Sequence, residues 1–146
     1  MVANWRQQTS VECQADFDDL LDVGIDIAAE RLSQNWGLDP IAVLNDRDGG
    51  RRVVSAVQSD SDEYSSSASP LKDRLVDGVR AEADGLRSVA IVSNVVVDGA
   101  TKPRLEILLE HREYALQILV PYDMPDPQTF DLGPMKAAKG TPLVWA

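Results

Sequence analysis

LEILLEHREYALQILVPYD, residues 105–123, holds two runs in which apolar and polar side chains nearly alternate, separated by Arg112 and Glu113. Alternation with a period of two is the signature of a β-strand, whose side chains point to opposite faces in turn. One row is Leu105, Ile107, Leu109 and His111; the other is Arg104, Glu106, Leu108, Glu110 and Arg112. A turn near Glu113 then returns the chain as a strand over 114–122. So short a connection makes the two strands antiparallel neighbours.

Upstream, LRSVAIVSNVVVD (86–98) reads as a third strand joined to them through GATKP, giving a meander. Before it, Ser69-Pro70 opens a helix, with a capping residue followed by proline at the first helical position. LKDRLVDGVRAEAD then places Leu71, Leu75, Val76, Val79 and Ala83 on one face, and Gly85 closes it. Residues 59–69, SDSDEYSSSAS, have almost no apolar content and read as a flexible loop inside one domain. IAVLND and RRVVSAVQ flank Asp48-Gly49-Gly50 and predict a hairpin. From Asp16 to Asn35, Phe17, Leu20, Leu21, Gly24, Ile25, Ile27, Ala28 and Leu32 recur at helical spacing, with Asp16 as the expected cap. Residues 1–15 read as a mobile segment ahead of a single domain over 16–146. Residues 124–146 carry four prolines and read as an irregular tail anchored by Phe130 and Trp145.

The order helix, hairpin, helix, three-stranded meander predicts a two-layer α+β domain: a five-stranded antiparallel sheet with both helices on one face. One feature strains against that expectation. The strand from Leu86 is apolar on both rows, Val89, Ile91, Val95 and Val97 on one and Ala90, Val92 and Val96 on the other. A sheet covered on one side only should have a polar second face. Self-association as a homodimer, a partner, or cover by the tail would each account for it.

Composition narrows the function. The 146 residues carry 24 acids against 14 bases, a net charge of −10. Nucleic-acid affinity rests on clustered Lys and Arg that release counterions, and no such cluster occurs, so nucleic acid is not an expected partner. No apolar run approaches the ~20 residues of a membrane-spanning helix. The first residues lack the apolar core of a signal peptide, and a single cysteine, Cys13, has no internal disulfide partner. These features predict a cytoplasmic protein away from the membrane. There is no nucleophile elbow, P-loop, dinucleotide fingerprint or paired-cysteine motif, so neither a metal nor a cofactor nor a catalytic residue is expected.

Two constellations remain. Asp18, Asp22, Asp26 and Glu30 fall at four-residue steps along the first helix. Like charges at that spacing destabilise a helix by a few tenths of a kcal/mol per pair. A docking strip for a basic protein partner would explain the arrangement; a solvated helix face is the plainer account. The second is His111, with Glu110, Arg112 and Tyr114 as chain neighbours. Imidazole suits general-base chemistry, so a small-molecule sensor or enzyme site there is the competing expectation, against a histidine that only terminates a strand.

IAVLNDRDGGRRVVSAV, LRSVAIVSNVVVDG and LEHREYALQILVPYD together resemble a family of uncharacterised small bacterial α+β proteins, in which a strand and Asp-Gly turn are followed by LEHR and PY strands. The resemblance spans roughly residues 17–122 and implies a cytosolic single domain without an assigned activity. The element order is also similar to the roadblock and profilin-like domains, which implies a scaffold or sensor role. Taken together, the expected function is an acidic, non-enzymatic interaction module, of the antagonist (immunity-like) or scaffold kind.

Overall fold

The computed structural model describes residues 7, 9–33, 40–55, 69–95, 104–126 and 129–145. Among these residues, two α-helices, α1 (Val11–Ser33) and α2 (Ser69–Ala81), accompany seven strands: β1 (Ile41–Asp46), β2 (Arg51–Ser55), β3 (Leu86–Val95), β4 (Arg104–His111), β5 (Tyr114–Asp126), β6 (Thr129–Leu132) and β7 (Lys136–Lys139). All pairings are antiparallel, in the order β2-β1-β3-β4-β5-β6, with β7 also on β5. The α+β class is as expected, but the sheet has seven strands where five were expected.

The helices lie on opposite faces, not on one. Along β1, Ile41 and Val43 join a core with Cys13, Phe17, Leu20 and Ala28 of α1. Their neighbours Ala42 and Leu44 join a second core with Leu75, Val76 and Val79 of α2. The same split divides Ala90 and Val92 of β3 from Val89 and Ile91. Alternation along a strand converts a continuous apolar run into two apolar faces, and each needs its own cover. Of the rows that invited a homodimer, Ala90 and Val92 are buried beneath α1, and Val89 and Ile91 beneath α2 with the C-terminal segment; Val95, Val96 and Val97 lie outside the residues whose side chains are described.

α1 begins at Val11, inside the segment 1–15 that was expected to be mobile. Two buried side chains bring it in: Cys13 enters the core, and Asp16, expected as a cap, sits one turn inside the helix. Asp16 accepts from Arg87 Nε at 2.8 Å and Nη2 at 3.0 Å, and from the Ser88 hydroxyl at 2.9 Å. Ser10 takes the capping role instead, its hydroxyl accepting from the Cys13 N–H at 3.2 Å. Farther along, Gly24 lets α1 approach the sheet, since a Cβ there would lie 3.0 Å from Val92 Cγ2. In the β1–β2 hairpin, Gly49 has φ +95°, a conformation glycine adopts without strain.

The tail is not irregular. β5 runs on to Asp126, and its free edge accepts β7 over Leu116–Leu119 and β6 farther along. The lysines at both ends of β7 then occupy the outer edge. Phe130 stacks on Tyr122 with ring centroids 5.1 Å apart, so the expected anchor holds. The expected loop over 59–69 lies outside the described residues, apart from Ser69 at the start of α2.

The last residues close the α2 face. Val144 is buried in the second core, with Leu143 and Trp145 packed against it. Glu110, 5% exposed, accepts the N–H groups of Leu143 at 2.6 Å, Val144 at 3.0 Å and Trp145 at 2.6 Å. Three consecutive amides converge on one buried carboxylate, and hydrogen bonds to a charged acceptor are the strong ones. Glu110→Ala is expected to lower stability by about 3 kcal/mol. Hydrogen exchange checks the cause: the amides of residues 143–145 should lose protection while those of β4 keep theirs.

Candidate functional site

The two sequence constellations meet different fates. Asp18, Asp22, Asp26 and Glu30 are all exposed on the outer side of α1, opposite Cys13, Phe17, Leu20 and Ala28. Among the described residues, no cation pairs with Asp22 or Asp26. Their neighbour Asp19 differs, since Arg51 Nη2 reaches it at 3.1 Å. Burial of the opposite face fixes the strip's orientation on the molecule.

The group expected around His111 is split by the sheet. His111 faces the α1 side, whereas Glu110 and Arg112 serve the α2 side. Glu110 is fully engaged by the tail amides. Arg112 donates to the Ala83 carbonyl at 3.1 Å, and its guanidinium lies 5.3 Å from the Trp145 ring centroid. Tyr114, directly across from His111 in the β4–β5 ladder, is half-buried with the Lys139 ammonium 5.8 Å from its ring centroid. These four residues do not form one site.

What His111 meets instead is Cys13 and Glu113. A ligand atom from each of these three side chains lies within 4.8 Å of the other two. Three local features assemble them: the end of β4 buries His111, the β4–β5 turn offers Glu113, and the first turn of α1 supplies Cys13. Ser10 ties the turn to the helix, its N–H and hydroxyl donating to the two Glu113 oxygens at 3.1 and 2.6 Å. Those bonds hold the Glu113 carboxyl below the usual range, with the nearby His111 adding to the effect.

His111 is only 9% exposed. Its Nδ1 accepts from the Glu113 N–H at 3.3 Å and lies 3.4 Å from Glu113 Oε2. Its Nε2 is buried without a hydrogen-bond partner among the described residues. Close by, a polar chain runs from Arg51 through Asn45 and Ser88 to Asp16 and Arg87, with links of 2.8 to 3.1 Å. This end of the α1 face is thus a polar inclusion beside an apolar core.

Burial pushes the Cys13 thiol up to about 12, and the negative charges of Glu113, Asp16 and Glu12 reinforce it. A nucleophilic cysteine needs the reverse, a thiolate stabilised near neutrality. The raised thiol disfavours the thiolate on which a nucleophile–base–carboxylate set of Cys13, His111 and Glu113 would depend. Their S, N and O donors match those of a divalent transition-metal site. Sequence reading missed the group because Cys13 stood in a segment assigned no structure; Ser10 three residues before it was the available sign of a helix start.

Clefts occur elsewhere. One of about 290 Å³ lies between α2 and β2, lined by residues including Val54, Leu75 and Val79, and one of about 330 Å³ lies between β5 and the turn after β6. Neither is lined by His111. Among the described residues, no helix is long and apolar enough to cross a membrane. Compared with family models, with curated proteins and with solved structures, the chain matches none.

The thiol makes a signed pH prediction for the metal-free protein. Between the ordinary value of 9.0 and about 12, the unfolded chain has released the Cys13 proton while the folded chain keeps it. Fewer protons on the unfolded state means that stability falls as pH rises through this window. Denaturant midpoints across the window should fall more steeply for the wild type than for Cys13→Ala. At neutral pH the thiol should react with a disulfide reagent only after unfolding.

Proposed function

We propose that the chain is a non-enzymatic interaction module that docks a basic protein partner along the outer face of α1, through Asp18, Asp22, Asp26 and Glu30. The observation that carries this reading is the exposure of all four carboxylates on a helix whose opposite face is locked into the core. Four-residue steps place successive charges about 6 Å apart along the axis, below the Debye length of about 8 Å at physiological salt. Their fields therefore add, over a strip roughly 18 Å long. The helix bears the repulsion of these i, i+4 pairs without relief from a cation at Asp22 or Asp26 among the described residues.

A strip of this kind acts first on encounter. Electrostatic complementarity raises the association rate and narrows the choice of partner more than it raises final affinity. The reading fits an antagonist or scaffold working in a reducing compartment such as the cytoplasm, where the single cysteine stays a thiol.

Affinity capture of the tagged chain from its native lysate, at low and moderate salt, identifies the partner for kinetic work. The expected outcome is a basic protein at near-stoichiometric yield that falls away as salt rises. With that partner purified, Asp22→Lys/Asp26→Lys should cut the association rate by about tenfold or more at low salt. Equal rates and equal salt dependence for both chains would sink the docking strip.

A further inference from the structure

We propose that Cys13, His111 and Glu113 form a three-ligand binding site for a divalent transition-metal ion of the zinc class, at the junction of the α1 N-terminus with the β4–β5 turn. The site is separate from the acidic strip and does not depend on the docking function.

The donor set is the first argument. Thiol sulfur, imidazole nitrogen and carboxylate oxygen are the three protein donors that Zn²⁺ takes. Here one of each lies within 4.8 Å of the others. Zinc–ligand bonds of about 2.0–2.3 Å in tetrahedral geometry put donor atoms roughly 3.3–3.7 Å apart. His111 Nδ1 and Glu113 Oε2 already stand 3.4 Å apart. Closing the remainder needs side-chain movement on the order of 1 Å.

The state of the imidazole is the second. A buried polar group ordinarily finds good hydrogen bonds. His111 is nine-tenths buried, yet Nε2 has no partner among the described residues, and Nδ1 has only the 3.3 Å contact from the Glu113 N–H. That edge of the ring also lies 3.4 Å from Glu113 Oε2. Sulfur, nitrogen and oxygen donors thus converge at one point, and a bound metal ion would give all three a common partner.

The surroundings complete a site. Ser10 holds Glu113 through two hydrogen bonds and also accepts from the Cys13 N–H, so one residue positions two of the three ligands. Glu113, with 39% of its side chain exposed, gives the route from solvent.

Cobalt(II) tests the proposal, because a Co²⁺–thiolate bond gives a near-ultraviolet charge-transfer band and four-coordination gives intense visible bands. Chelator-treated full-length chain titrated with Co²⁺ should develop both sets with an endpoint at one equivalent. Zn²⁺ should abolish them, and Cys13→Ala, checked for folding by circular dichroism, should never show them. Glu113→Gln alters an exposed residue and is expected to weaken Zn²⁺ by at least about tenfold in competition with a chromophoric chelator. The proposal is overturned if the folded wild type binds Co²⁺ without the thiolate band, which would mark loose attachment to surface carboxylates. It is equally overturned if Glu113→Gln holds Zn²⁺ as tightly as the wild type.

Discussion

The central strands β1 and β3 are apolar on both faces, and the rest of the fold answers to that constraint. Ile41, Ala42, Val43 and Leu44 are each fully buried, as are Val89, Ala90 and Val92. At about 25 cal/mol per Å² of apolar surface, leaving either row in water would forfeit several kcal/mol, a large share of a small domain's net stability. Two covers are therefore required. α1 supplies one. The other needs the crossover from edge strand β2 through α2 to β3, which lays α2 over the β1 face. α2 is a 13-residue helix and does not span the sheet, so the C-terminal segment fills the remainder with Leu143, Val144 and Trp145.

Both covers are fastened by a buried carboxylate as well as by apolar contact. On the α1 side, Asp16 receives two bonds from Arg87 and one from Ser88, and so sets where the helix meets β3. On the α2 side, Glu110 receives three tail amides. The two differ in kind. Asp16 has a cation, so its desolvation is offset by an ion pair, whereas Glu110 is met by backbone amides among the described residues. Exposed Arg51 and Arg52, paired with Asp19, Asp46 and Glu82, add little by comparison, since solvent screens surface ion pairs. The polar groups that matter to this fold are the inward ones.

Most elements were legible because their signals are local. The β4–β5 hairpin follows from alternation, the β1–β2 turn from Asp-Gly-Gly, and α2 from Ser69-Pro70. The layer arrangement was not read correctly, although its sign was present: both rows of β3 and the unbroken IAVL of β1 already called for two covers. β6 and β7 escaped because KAAK and TFDL have no strand period of their own; they pair because β5 offers them an open edge. The acidic strip was legible as a face because helical spacing is a local property. The Cys13, His111 and Glu113 group was not, since it depends on where the first turn of α1 lands, about a hundred residues away in the chain from its partners.

One consequence of the layout concerns α1 itself, which carries unlike chemistries on its two sides. Its outer side shows carboxylates to solvent, and its inner side at the N-terminal end faces a thiol, an imidazole and a carboxylate, with Glu12 and Asp16 nearby. A helix N-terminus favours negative charge by about 0.3–1 kcal/mol, which partly offsets that accumulation but decays within the first turn. Arg87 neutralises Asp16 and lies 3.8 Å from Glu12, so it cannot also serve Glu113 across the turn. Among the described residues, Glu12, Asp16 and Glu113 all bear on Cys13. Folding tolerates this because the thiol keeps its proton. Those carboxylates, like burial, oppose a thiolate at Cys13.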